Sequence, residues 1–148
     1  MNVTSPAFEH AKPIPSKYTC EGDDVSPSLA WTAGLEGTVG YALIMDDPDA
    51  PRGTWVHWVA WNIHATSLPE NVSALESASF SQGQNSWPKP GYGGPCPPSG
   101  THRYYFKLYA LGRDLDLGPE TDKDALTSAM EGHILDQGEL MGTYARKG

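Results

Sequence analysis

Apolar residues concentrate in three stretches of the chain, and each stretch has the length of a β-strand rather than a helix. Residues 39–46 are almost continuously apolar, and Trp55–Ile63 is largely apolar at both odd and even positions. Residues 103–111 alternate, with an aromatic or aliphatic side chain at every even position. A short run that is apolar on both sides is typical of a strand buried between two layers. The pattern therefore predicts three central strands.

The remaining segments predict short peripheral elements. Prolines break residues 1–30, which favours edge strands and loops, and residues 64–86 read as a polar, irregular excursion with one short helical turn. Apolar side chains recur at helical spacing over residues 123–135 and predict one amphipathic helix. A final strand is expected at residues 140–144. The 148-residue chain is thus mainly β and fits a single domain over residues 1–148, either a sandwich or a barrel.

Two histidines lie on these aromatic strands, each beside a rigid loop. His57 is in the middle of Trp55–Ile63, and strict alternation places it on the face of Val59 and Trp61. His102 stands at the mouth of the third strand, after a loop rich in proline and glycine. A lone histidine of this kind can equally be a core residue bonded to a backbone carbonyl. Two histidines in equivalent settings favour a shared site instead.

The motifs around these histidines resemble the phosphatidylethanolamine-binding proteins, also called Raf kinase inhibitor protein-like proteins, and most of all their short bacterial and archaeal branch. The main motifs are Asp47-Pro48-Asp49-Ala50-Pro51 with Trp55 and His57, and Gly94-Pro95-Cys96-Pro97-Pro98 with Gly100 and His102-Arg103-Tyr104. Supporting pieces are Tyr18-Thr19-Cys20-Glu21-Gly22 with Ser26-Pro27 and Trp31, and Gly132-His133-Ile134-Leu135. The resemblance implies an antiparallel Greek-key β-sandwich, with a large sheet, a smaller sheet and one or two peripheral helices.

The resemblance also implies a small cavity that accepts phosphate-like and carboxylate-like groups. Its expected ligand-binding residues are Asp47, His57, Gly94, Pro95, His102 and Tyr104. Two imidazoles can donate hydrogen bonds, and Gly94 can offer a backbone N–H without a side chain in the way. Asp47 can hold a histidine protonated, or accept from an amino group or a protonated phosphate oxygen. The residues expected to support the site are Asp49, Pro51, Trp55 and Arg103, with Asp49 capping the turn or pairing with Arg103.

Three classes of function fit these residues. The first, which we favour, is a binding module for a small phosphorylated or carboxylate ligand, which could also dock onto a kinase or protease. The second is a metal-dependent or acid–base hydrolase that uses Asp47, Asp49, His57 and His102, although the sequence contains no helical zinc motif, nucleophile elbow or phosphate-cradling loop. The third is an inhibitory protein with a vestigial pocket. We therefore expect no catalytic residue, metal ligand or cofactor.

Charge and hydropathy limit the partners further. A net charge of −8 argues against nucleic acid and anionic membrane surfaces, because both repel an acidic chain at long range. No apolar run is long enough to span a bilayer, and the amino terminus lacks a signal-peptide pattern, so we expect a cytoplasmic protein. For Cys20 and Cys96 we therefore expect two reduced thiols, with Cys96 either a small buried thiol or a reactive one.

The chain stops soon after Tyr144, without the additional C-terminal helix of longer eukaryotic relatives. We therefore expect a more open pocket, unless a second subunit covers it. A homodimer that uses the aromatic surface near Trp58 and Trp87 is a further hypothesis.

Overall fold

Two antiparallel sheets, one α-helix and a short 3-10 helix (Ser16–Tyr18) make up the computed structural model, which describes residues 1–72 and 79–147. The small sheet has the order β1-β2-β5 and the large sheet the order β6-β4-β3-β7-β8. The helix α1 (Lys123–Met130) precedes the last strand. The strands are β1 (Val3–Thr4), β2 (Leu29–Trp31), β3 (Gly40–Asp47), β4 (Trp55–Ile63), β5 (Ser67–Leu68), β6 (Ser81–Gln82), β7 (His102–Leu111) and β8 (Ile134–Tyr144). The predicted fold class, a β-sandwich with a large and a small sheet, is confirmed.

The large sheet carries apolar side chains on both faces. On one face Leu43, Met45 and Phe106 pack with Leu29 and Trp31 of the small sheet in one buried cluster. The opposite face forms a second buried cluster, which α1 covers. Burial on both faces explains why β3 and β4 read as continuously apolar runs. It also stabilises the central strands from which the candidate site projects.

The helix is shorter than its apolar periodicity predicts. Asp122 caps its start by accepting from the N–H of Ala125 at 2.9 Å. It ends at Met130 because Glu131 leaves the helical region with a ψ of 130°, and Gly132 then turns the chain with a φ of +80°. The predicted helix over 123–135 is therefore wrong beyond Met130, since β8 begins at Ile134 rather than near residue 140. Of the three predicted central strands, β4 has the predicted bounds, and β3 and β7 are confirmed to within one residue at each end.

The excursion over residues 64–86 contributes two short strands, β5 and β6. The short helical turn expected within this segment is absent from its described parts. Residues 73–78 lie outside the described residues, so the prediction is not tested there.

Two register shifts interrupt β4, and the first repositions His57. Met45 pairs with Trp58 while the next residue, Asp46, pairs with Val56, so His57 is the extra residue of a β-bulge. The second shift leaves Asn62 at a φ of +56°. The prediction that His57 shares a face of the sheet with Val59 and Trp61 is wrong, because those two residues belong to the cluster beneath α1. The ring of His57 instead contacts Tyr104, on the opposite side of the sheet.

Cys20 and Cys96 form a disulfide, contrary to the expectation of two reduced thiols. Their Cα atoms are 5.5 Å apart although 76 positions separate them in sequence. The fold brings together the turn that contains Cys20 and the proline-rich loop that precedes β7. Neither thiol is therefore free in this structure. The two roles expected for Cys96, a small buried thiol or a reactive one, are both wrong.

No helix among the described residues is both long and apolar enough to cross a membrane.

Candidate functional site

Asp47 and His102 meet where two neighbouring strands begin and end. Asp47 is the last residue of β3 and His102 the first of β7, and both are more than nine-tenths buried. His102 Nδ1 donates to Asp47 Oδ2 at 2.6 Å, and the other oxygen of Asp47 accepts from the N–H of Asp49 at 2.8 Å. A single carboxylate thus orients an imidazole and also fixes the turn that follows β3.

His57 is held by a reciprocal pair of hydrogen bonds with Gly93. Its Nδ1 donates to the Gly93 carbonyl at 2.7 Å, and the Gly93 N–H donates to the His57 carbonyl at 2.9 Å. The rings of Trp87 and Tyr104 contact the imidazole edge to face, with centroids 5.0 and 5.2 Å away. Burial lowers the pKa of His57 below its usual value, against the opposing effects of the Gly93 carbonyl and the nearby Asp47. His57 is therefore a neutral imidazole near pH 7.

Tyr104 places a buried hydroxyl beside the two histidines. The residue is fully buried, and its Oη has no hydrogen-bond partner among the described residues. Burial raises the pKa of Tyr104, and the charge of Asp47 raises it further, so the phenol keeps its proton. An unpaired buried hydroxyl has a substantial energetic cost in a folded protein, unless a ligand or water supplies a partner.

These side chains line a cavity of about 270 Å³. Prolines and tryptophans form most of its remaining wall, and the exposed rings of Trp55 and Trp87 contact each other edge to face at its rim. The lining residues are Asp47, Ala50, Pro51, Trp55, His57, Trp87, Cys96, Pro97, Pro98, His102 and Tyr104. None of them is a lysine or an arginine, so the imidazoles are the only lining side chains that can carry positive charge.

Asp49 and Arg103 form the pair that the sequence suggested, outside the cavity. Two guanidinium nitrogens of Arg103 donate to the two oxygens of Asp49, at 2.7 and 2.9 Å. This hydrogen bonding lowers the pKa of Asp49 to about 2 and raises the pKa of Arg103. The side chain of Arg103 is 49% exposed. Because Arg103 does not line the cavity, it supplies no charge to a ligand there.

Gly94 and Pro95 do not line the cavity, which corrects the expected role of Gly94. Its N–H donates to Asp24 Oδ1 at 2.8 Å and is therefore not available to an anion. The carbonyl of Pro95 accepts from the N–H of Cys20 at 3.1 Å. With the disulfide, these bonds fasten the proline-rich loop to the segment that contains Cys20 and Asp24. The two residues thus hold the cavity wall from behind.

The close packing behind Gly94 makes a specific prediction. A Cβ at this position would lie 2.4 Å from the carbonyl oxygen of Tyr18 and 3.0 Å from the Cα of Thr19, both of them backbone atoms. We expect Gly94→Ala to lower the free energy of unfolding by about 2 kcal/mol, as overpacking against rigid backbone does. Gly112→Ala is the control, because its new Cβ would meet only Leu135 at ordinary contact distances. Urea denaturation that shows equal stabilities for both variants would contradict this packing.

The sequence did not identify every lining residue. The loop that contains Cys96 was expected in the cavity wall, but Trp87, Pro97 and Pro98 were not among the expected site residues, and their signal was the dense proline spacing of the loop. Trp58, by contrast, was expected on a surface, but it is fully buried and donates to Gln82 at 2.7 Å. It cannot contribute to an interface, so only Trp87 remains from the proposed aromatic surface.

A larger groove of about 600 Å³ lies beside α1 and offers a poorer anion site. Its lining includes Glu120, Asp122 and Asp124, whose charges oppose an anion. Its basic residue, Lys123, pairs with the buried Asp46 at 2.9 Å. The groove beside α1 therefore has no cation free to attract phosphate.

Comparisons with known proteins agree with this fold. A family model described as phosphatidylethanolamine-binding protein matches residues 4–145. A UPF0098 protein of Methanothermobacter thermautotrophicus is 48% identical over 99% of both chains. A UPF0098 protein of Archaeoglobus fulgidus is 46% identical over 95% of this chain. This chain spans about half of that relative's length.

Solved structures extend the similarity to three dimensions. A phosphatidylethanolamine-binding protein homolog from Chlamydia trachomatis superposes with a TM-score of 0.92 at 38% identity, covering 99% of this chain and 97% of that one. Escherichia coli YbcL, a member of the mammalian family, superposes with a TM-score of 0.91 at 30% identity, covering 99% and 98%. The chain therefore belongs to the phosphatidylethanolamine-binding protein family, in its short prokaryotic branch.

Proposed function

We propose that this protein binds a small phosphorylated group, or a carboxylate of similar shape, in the cavity between Asp47, His57 and His102, without transforming it. One observation carries the proposal: two anchored imidazoles and an unpaired buried hydroxyl, that of Tyr104, converge on one small cavity. Each imidazole uses Nδ1 for a protein partner, which leaves its Nε2 edge for a ligand. A small number of polar groups on apolar walls is typical of a ligand pocket.

The charge of the cavity predicts weak and selective binding. Any positive charge on His102 is offset by Asp47 at hydrogen-bond distance, and His57 is neutral. Without a lysine or arginine in the wall, attraction at long range is absent. Affinity must then come from directed hydrogen bonds and from the fit of the ligand to the proline and tryptophan walls.

The hydrolase alternative is not favoured by these residues. The cavity wall has no serine or threonine hydroxyl, its cysteine is in a disulfide, and Tyr104 holds its proton firmly. Within residues 1–72 and 79–147, no three histidine, cysteine or acidic side chains are grouped so as to hold a metal ion. The Asp47–His102 pair alone could act as a base, but the cavity lining offers no serine, threonine or free cysteine nucleophile for a covalent intermediate.

Regulation of a kinase or protease is a second step of the same proposal. The Trp55 and Trp87 rings at the rim are 36% and 38% exposed and could contact a protein whose phosphorylated residue enters the cavity.

A homodimer that buries the same rim remains a hypothesis, which sedimentation of the purified protein tests. Cytoplasmic localisation also stays a prediction, and the disulfide is more typical of an oxidising compartment or a hyperthermophile's cytosol.

The proposal predicts that either histidine is required for binding. We expect His57→Ala and His102→Ala each to lower the affinity for phosphoethanolamine at least about tenfold, because each removes a directed hydrogen bond in a buried site. His64→Ala is the matched control, since His64 pairs with Asp114 at an exposed position and does not line the cavity. Calorimetric titration measures all three variants. Undiminished affinity in both cavity variants would reject the site.

A further inference from the structure

The hydrogen-bonding inventory of the cavity is short enough to define what a ligand must bring. Each oxygen of Asp47 already accepts one hydrogen bond, Oδ2 from His102 and Oδ1 from the N–H of Asp49. Among the described residues, the histidine and tyrosine atoms of the lining that have no protein partner are the two Nε2 atoms and the Tyr104 hydroxyl, and the indole N–H groups of Trp55 and Trp87 can only donate. Each of these has a defined or restricted role as donor or acceptor, so the ligand's own hydrogens are constrained.

His57 Nε2 is an acceptor. Its Nδ1 faces the carbonyl of Gly93, and a carbonyl cannot donate, so the proton of the ring must be on Nδ1. A neutral ring with that proton presents a bare lone pair at Nε2. Protonating Nε2 as well would place a cation in a site that is 97% shielded from solvent, given the 3% exposure of His57.

The charged and titratable groups around His57 do not overturn this assignment. Asp46 and Asp47 on β3 and Asp24 from the loop before β2 each favour the protonated ring, yet burial outweighs them and the pKa of His57 remains lowered. From β7, His102 and Tyr104 complete the set, and the phenol of Tyr104 keeps its proton. The proline-rich loop contributes the Trp87 ring and the Gly93 carbonyl.

The Tyr104 hydroxyl supplies the complementary group. It is buried, protonated and without a partner among the described residues, so it can donate to a bare oxygen of a ligand. Among its tyrosine and histidine side chains, the cavity thus offers one donor, the Tyr104 hydroxyl, and one acceptor, His57 Nε2.

Resting on the proposed function, the geometry points to a more specific ligand: a tetrahedral oxyanion that carries a proton. We propose that the cavity takes the monoanion of a phosphate monoester, whose P–OH donates to His57 Nε2 while a bare oxygen accepts from Tyr104. A phosphate dianion or a sulfate ester has no such proton, so its oxygen would face the lone pair of His57 without a hydrogen bond. That mismatch leaves a buried acceptor unpaired.

Two ligands of the same shape isolate the effect of this proton on affinity. Methyl phosphate as a monoanion and methyl sulfate have the same charge and the same number of oxygens, but only methyl phosphate has an acidic O–H. We expect the wild-type protein at about pH 5.5 to bind methyl phosphate about tenfold or more tightly than methyl sulfate, since the latter leaves His57 unpaired. Calorimetric titration with each ligand measures the ratio directly.

The pH dependence gives a second readout with a defined sign. Because the second pKa of a phosphate monoester is about 6, the monoanion fraction rises about 25-fold between about pH 7.5 and about pH 5.5. The apparent affinity for methyl phosphate should rise by a similar factor as the pH falls. Methyl sulfate does not titrate in this range, so any change in its affinity comes from the protein's own groups. Dividing the change for methyl phosphate by the change for methyl sulfate removes that contribution.

The outcomes separate this inference from the proposed function. Equal binding of both esters at low pH, or affinity for methyl phosphate that grows as the dianion forms, would overturn the proton requirement while leaving an oxyanion site in place. Absence of binding by either ester would reject both proposals. In His57→Gln, whose side-chain amide can present an N–H, we expect the two esters to bind within about twofold of each other. A full preference for methyl phosphate in that variant would also overturn the inference.

Discussion

Removing the disulfide between Cys20 and Cys96 is expected to destabilise the protein more than any other change considered. The bridge closes a loop with a sequence separation of 76, for which the chain-entropy relation gives about 4.5 kcal/mol of stabilisation at 25 °C. We expect the double variant Cys20→Ala/Cys96→Ala to lose about this amount from its free energy of unfolding. Urea denaturation under oxidising conditions measures the loss.

The reduced wild-type protein supplies the control for this prediction. A reductant should lower the stability of the wild type to about that of the double variant and leave the variant unchanged. Cys20 is at the surface and Cys96 is half-buried, so replacing the two sulfur atoms themselves has little packing cost. A reductant that leaves the wild-type midpoint unchanged would show that the two cysteines are not bridged in solution.

The second large effect is expected at Asp47. In Asp47→Ala, the Nδ1–H of His102 and the N–H of Asp49 lose their acceptor, and His102 is only 7% exposed. We expect the free energy of unfolding to fall by about 3 kcal/mol, since breaking a buried pair leaves its partner unsatisfied. Binding of phosphoethanolamine should be lost as well, because His102 is no longer oriented. Urea denaturation and calorimetric titration test the two effects separately.

Asp49→Ala is the matched control for Asp47→Ala. The partner of Asp49, Arg103, is half-exposed and can be hydrated when the carboxylate is removed. We expect a loss below about 1 kcal/mol, as for other exposed ion pairs. Equal losses in the two variants would show that burial does not distinguish the two aspartates.

The sequence was sufficient to predict those features that depend on residues close together in the chain, such as the bounds of an apolar strand. Trp55–Ile63 has the predicted bounds because it is largely apolar between a proline turn and a polar segment. Pairing with Arg103 was one of two roles expected for Asp49, and the shared site of His57 and His102 was expected from their equivalent settings and from the family motifs. Motifs of this kind preserve which residues meet, even when the sequence does not show the geometry of the meeting.

What the sequence could not show depends on contacts between distant segments. The bulge at His57 is invisible to an alternation pattern, since one extra residue reverses every following side chain. The disulfide depends on two loops 76 positions apart. The N–H of Gly94 looked available because nothing in the local sequence places Asp24 beside it. In each case, the partner comes from another part of the fold.

The most direct test of the binding site is a proton NMR titration of the five histidine rings with phosphate and then phosphoethanolamine. Alanine variants assign the signals of His57 and His102. We predict that these two signals shift together and saturate, because both rings line the same cavity, while His10, His64 and His133 stay unchanged. If the signals of His57 and His102 do not move at saturating phosphate, the cavity is not an anion site and the proposed function is wrong.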